Sequence, residues 1–136
     1  MRTRAYLLFP ALVLFTALLA GCTTDEPSPS PTDPRTSFTG TWLANEQEYK
    51  YTFEVTIDLD ASSSTAVLIH NFANSGTTAK ADVSGTNITL VPDQIIGDGW
   101  TLNGSGALTS STRINWTYSF LDGATLHQVT GTYTRQ

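Results

Sequence analysis

His70 and His127 are the only imidazoles in this 136-residue chain, and Cys22 is its only thiol. Those side chains are the natural candidates for acid–base, nucleophilic or metal chemistry, and they are too few for it. A catalytic zinc takes three protein ligands plus water, and no segment offers that set. His127 is in phase with Val129 and Tyr133, which points it inward, where a hydrogen-bonded core or rim histidine is favoured over a base or metal ligand. Asp58, Asp60 and the serines after them suggest an oxygen-rich calcium loop. However, Ser63 and Ile69 stand where an EF-hand needs its glycine and its last acid. Glu54, Asp58 and Asp60 alternate with apolar residues, so all three are expected to face water rather than flank a cleft as glycosidase carboxylates do. No Gly-x-Ser-x-Gly elbow and no phosphate-binding glycine loop occurs. An enzyme is therefore not expected, nor a metal or other cofactor. What remains are large rings: Trp42, Trp100, Trp116, Tyr118 and Tyr133. They would either line a pocket for a small apolar or glycan ligand or simply fill a core.

Cys22 gains meaning from what precedes it. Met1-Arg2-Thr3-Arg4 is basic, and from Ala5 to Ala20 only Pro10 and Thr16 interrupt an apolar run. Sixteen residues fall short of the roughly 20 that span a bilayer. A basic start, a short apolar stretch and small residues is the layout of a secretion signal. Leu19-Ala20-Gly21-Cys22 resembles the lipobox of bacterial lipoproteins. That resemblance implies cleavage before Cys22, a diacylglyceryl group on its sulfur, and attachment of the domain to a membrane by acyl chains. It also implies a cell-envelope location; the outer membrane is favoured because Thr23 is not the Asp that commonly retains lipoproteins at the inner membrane. With one cysteine there is no intramolecular disulfide.

Loss of Arg2 and Arg4 with the leader leaves five basic against twelve acidic side chains, a net charge of −7. Such a surface repels nucleic-acid phosphates and anionic headgroups, so nucleic acid is excluded as a partner and attachment falls to the lipid on Cys22. Residues 23–37, TTDEPSPSPTDPRTS, hold four prolines among small polar residues and predict an extended spacer of roughly 40–45 Å.

The remaining residues, 38–136, read as strands and turns. Tyr49, Tyr51, Phe53, Val55, Ile57 and Leu59 alternate with polar residues up to Asp60, and Ile114, Trp116, Tyr118 and Phe120 share a face of a second strand. Weaker alternation marks 38–44, 65–72, 77–83, 86–91, 99–108 and 125–134. Turn-forming clusters lie between them, among them Asn45-Glu-Gln-Glu and Asp122-Gly. No window shows a helical period. Eight strands joined by short loops predict an all-β fold, an eight-stranded antiparallel up-and-down meander barrel, with a two-sheet sandwich as the alternative. The run 92–99 is ambiguous, since Ile95-Ile96 would extend either neighbouring strand. Gly104-Ser-Gly106 is expected to ease strand bending.

This layout resembles a miniature lipocalin or avidin-type barrel, and small single-barrel lipoproteins of Gram-negative envelopes. Gly40-Thr41-Trp42 opens the first strand as Gly-x-Trp does in lipocalins, and Arg135 lies in the last strand. The resemblance implies that Arg135 packs over Trp42 by a cation–π contact and adds Arg135 to the candidate binding residues. The domains are then 1–21 signal, 22–37 lipidated cysteine and linker, and 38–136 barrel. The function they imply is a membrane-anchored binding module, or alternatively a structural subunit that binds an envelope protein.

Overall fold

The computed structural model describes residues 32–136; the leader at 1–21, Cys22 and most of the spacer lie outside the described residues. Nine strands run β1 (Gly40–Glu46), β2 (Tyr51–Leu59), β3 (Ala66–His70), β4 (Thr78–Ser84), β5 (Asn87–Leu90), β6 (Gln94–Ile96), β7 (Trp100–Ser110), β8 (Arg113–Asp122) and β9 (Thr125–Arg135). Their order in the sheet is β5-β4-β3-β2-β1-β9-β8-β7-β6, and a further β5–β7 pairing closes it. Every pairing is antiparallel. Eight strands therefore form a closed barrel and the sandwich alternative falls away. The short β6, inside the ambiguous run 92–99, is an extra arm on the edge of β7, with Ile96 buried and Ile95 exposed. Closure leaves no long unpaired edge in a barrel that has no disulfide to hold it.

Alternation decides the interior. Trp42 and Ala44, Phe53, Val55 and Ile57, Ala79, Ala81 and Val83, and Ile114, Trp116, Tyr118 and Phe120 are all buried. Phe72 comes from a short 3-10 turn, Phe72–Asn74, after β3. It enters the barrel with its ring 5.3 Å from Trp116 and 4.8 Å from Tyr118. The barrel is filled at mid-height by side chains, as expected at eight strands.

Gly104 and Gly106 do more than ease bending. Gly106 lies opposite Trp116 across β7 and β8, and a Cβ there would stand 2.8 Å from the indole. Gly104, at φ +150, faces Tyr118, whose backbone a Cβ would meet at 2.4 Å. The Trp116 indole and the Tyr118 backbone thus pack directly against a strand stripped of side chains at those two positions.

Three expectations need correction. The alternation of β2 does not persist to its ends: Tyr49, Tyr51 and Leu59 are exposed, and Asp60, expected to face water, is buried at 7% exposure. The chain turns at Asp60, whose carboxylate caps Ser62 through its backbone N–H and hydroxyl and meets Lys80 Nζ at 2.8 Å. The spacer stops short of residue 37. Asp33 caps a 3-10 turn at Pro34–Ser37, and Arg35 donates to the carbonyls of Asp60, Ser63 and Ala66. Glu46 does not belong to a turn. It ends β1 in the buried phase of Trp42 and Ala44, and the turn begins at Gln47.

Candidate functional site

The strand register places two chemically different ends on the barrel. At one end gather the 3-10 turn 34–37, the β2–β3 and β7–β8 connections and the C-terminus. Arg135 spans it. Its guanidinium carbon lies 4.2 Å over the Trp42 ring, and its nitrogens donate to the carbonyls of Ser37, Thr39 and Ser111. Trp42 Nε1 in turn donates to the Phe38 carbonyl at 2.8 Å. The contact implied by the lipocalin resemblance is therefore present, and it acts as a plug: Trp42 is wholly buried beneath it. A shallow groove outside this plug, lined by Thr86, Leu108, Thr112 and Arg135 among others, carries no titratable group except that already engaged arginine.

The other end is a mouth, formed by the β1–β2 turn, the segment after β3, the β6–β7 turn and the β8–β9 turn. It holds a cup of about 190 Å³ lined by Glu46, Tyr49, Tyr51, Ala73, Trp100, Tyr118, Phe120, Asp122 and His127. Each wall has a local cause. Phe120 is the last inward residue of β8, and it stacks on both sides, with Trp100 and His127 ring centres each 4.6 Å away. Tyr49, in the β1–β2 turn, and Tyr51, at the start of β2, hold their rings 5.8 Å apart. Stacked and tilted aromatic pairs at such spacing hold one another's orientation.

The floor is Glu46. Its side chain is buried at 1% exposure. Tyr118 Oη donates to Glu46 Oε1 at 2.5 Å, while Oε2 has no hydrogen-bond partner. Burial raises the Glu46 pKa, against the opposing hydrogen bond from Tyr118. The Tyr118 and Tyr133 hydroxyls are pushed up as well, first by burial and then by the nearby Glu46 charge. A carboxylate placed here costs free energy until something donates to its second oxygen. Tyr133 Oη and Trp116 Nε1 are also without partners, deeper in the barrel.

The structure divides the predicted binding residues. Trp100 and Tyr118 meet at the cup. Trp116 and Tyr133 are buried core below it, and Trp42 and Arg135 sit at the opposite end. The sequence reading missed Glu46, Tyr49, Tyr51, Phe120 and His127 as a group. The signal for Glu46 lay in the phase of β1, Trp42-x-Ala44-x-Glu46, which puts a carboxylate on the core face. Among the described residues, no group of three or more His, Cys, Asp or Glu is placed to hold a metal ion. His70 is instead on the surface, 3.0 Å from Asp58.

No protein-family model and no curated protein matches the chain. Two solved structures are similar to it. One is a redesigned β barrel, 18% identical, with a TM-score of 0.51 over 79% of this chain and 98% of that one. The other is a de novo designed fluorescence-activating β barrel, 16% identical, with a TM-score of 0.48 over 76% and 98%. At this identity the first likeness speaks to the fold, and the fold is a β-barrel.

Proposed function

We propose that the chain is a lipid-anchored, non-enzymatic binding module of the bacterial cell envelope, and that the cup at the barrel mouth receives a small ligand. The observation that carries the binding half is Glu46, a buried carboxylate with one unpartnered oxygen on the floor of an aromatic-walled cavity. Proteins seldom leave such an atom unsatisfied without a reason. A volume of about 190 Å³ is below the roughly 300–1,000 Å³ of common small-molecule sites, which favours a small guest over a lipid or an oligosaccharide. The anchoring half rests on Leu19-Ala20-Gly21-Cys22 after a short apolar run, and the outer membrane is the favoured home. The reading as a module without turnover rests on the sequence, which holds no nucleophile elbow and no phosphate-binding glycine loop.

A panel of small polar and apolar compounds, screened by Trp100 fluorescence and thermal shift, tests the cup. Saturable binding lost in Trp100→Ala is expected, and no response from any compound would refute it. Mass spectrometry tests the anchor: a diacylglyceryl mass on a chain starting at Cys22 is expected, abolished by Cys22→Ser. An intact Met1 or a bare thiol would remove the envelope assignment.

A second reading, an interaction subunit for an envelope protein, has one observation of its own. Ile95, Leu121 and Leu126 fall in register across β6, β7, β8 and β9 on the outer surface, with Ile95 71% and Leu126 60% exposed. Co-purification of a partner, lost in Leu126→Ser, would favour it over the cup.

A further inference from the structure

We infer that the cup is a receptor for a small organic cation, a primary ammonium ion whose N–H groups meet Glu46 Oε2 while its short alkyl body lies among the rings. This deepens the binding reading and rests on it.

An ionised carboxylate only accepts hydrogen bonds, and the one hydroxyl bonded to it, Tyr118 Oη, donates to Oε1 and leaves Oε2 without a donor. A guest must therefore donate to Oε2. A neutral alcohol would donate one hydrogen bond and leave the buried charge uncompensated, whereas an ammonium ion supplies donor and counter-charge together. The walls favour the same guest. Tyr49, Tyr51 and Trp100 present aromatic rings around the space above Glu46, and ring faces attract cations most strongly when water is excluded. The rim agrees in sign. Glu48 and Asp98 lie in the turns around the mouth and Asp122 at the end of β8, against a single cation in those turns, Lys50. Arg35, Arg113 and Arg135 are all at the plugged end. A cleft rimmed by one sign of charge raises the local concentration of the opposite ion. Size completes the specification: about 190 Å³ takes an amine of a few carbons.

The test uses the whole chain in a nonionic detergent, titrated with n-butylammonium and with its neutral isostere 1-butanol, read by tryptophan fluorescence and by calorimetry. The ammonium ion is expected to bind at least about tenfold more tightly than the alcohol, and Glu46→Gln is expected to remove that preference. Equal binding of both probes would overturn the inference and leave the cup a small apolar site, the binding reading intact. Ammonium binding undiminished in a folded Glu46→Gln protein would overturn it too, by moving the cation elsewhere. Silence from both probes would overturn the inference and count against the cup as a site. The wild-type comparison needs no variant, so a misfolded Glu46→Gln chain does not spare the proposal.

Discussion

The two ends of this barrel solve the same problem in opposite ways. Each must close a cylinder of apolar side chains against water. The plugged end does so with satisfied polar groups: Arg135 over Trp42, three carbonyls accepting its hydrogen bonds, and Arg35 fastening the entering chain to the β2–β3 connection. The mouth leaves its polar group unfinished, with Glu46 Oε2 buried and unpartnered under half-exposed rings. Completed networks hold a fold in one arrangement, and incomplete ones are where a native protein departs from its own rules for a purpose. The plugged end thus has its arginine fully engaged, and the mouth holds an unpaired carboxylate oxygen.

The largest expected effect tests that division directly. Trp42→Ala should cost about 3–5 kcal/mol in urea unfolding, the usual toll of emptying a buried indole site. Trp100→Ala at the mouth should cost about 1 kcal/mol, since the side chain is half-exposed and loses mainly its stack on Phe120. Similar costs for the two would erase the contrast. Next in size is Gly106→Ala between the ends. Its Cβ would press on Trp116, and overpacking of this kind costs about 1–3 kcal/mol; a neutral result would mean that the indole has room to move.

The smaller effects are pH-dependent and opposite in sign at two carboxylates. Glu46 has a raised pKa in the folded state, so the folded chain binds more protons than the unfolded one between the two values, and stability falls as pH rises through that window. It is fully present below the ordinary value of 4.5. Melting wild type and Glu46→Gln from pH 4.5 to 8 should show the variant gaining on the wild type as pH rises; parallel curves would deny that Glu46 is strained. Asp60 is lowered, first by its hydrogen bond from Lys80 and then by those from Ser62. Its contribution is present above the ordinary value of 3.8 and is lost as pH falls below it. Lys80→Met should flatten that acid limb slightly, and an unchanged limb would show the pair to be idle.

Much of the barrel was legible from period alone. Strands such as Arg113–Asp122 have one buried and one wet face, and period-two alternation writes that difference into the chain. The ends of strands were less legible. Leu59 and Asp60 exchange faces because the chain turns there, and Lys80, twenty residues away in sequence, is what makes a buried Asp60 tolerable. Pro34–Ser37 looked like spacer because its composition has nothing apolar to bury. What orders it is Arg35 reaching carbonyls some 25 to 31 residues on.

The sequence by itself determined the eight strands of the barrel and the inward face of most of them, because hydrophobic alternation is a local property of the chain; the Trp42–Arg135 contact came from the lipocalin resemblance, and the short β6 was not foreseen. Only the tertiary structure decided that the tryptophans do not share a site, and that Glu46, Tyr49, Tyr118, Phe120 and His127 surround one cup. That grouping follows from barrel closure, which brings residues 72 positions apart, Glu46 and Tyr118, within hydrogen-bonding distance. Alternation says that a side chain points inward; closure and register say at what height it arrives and beside what.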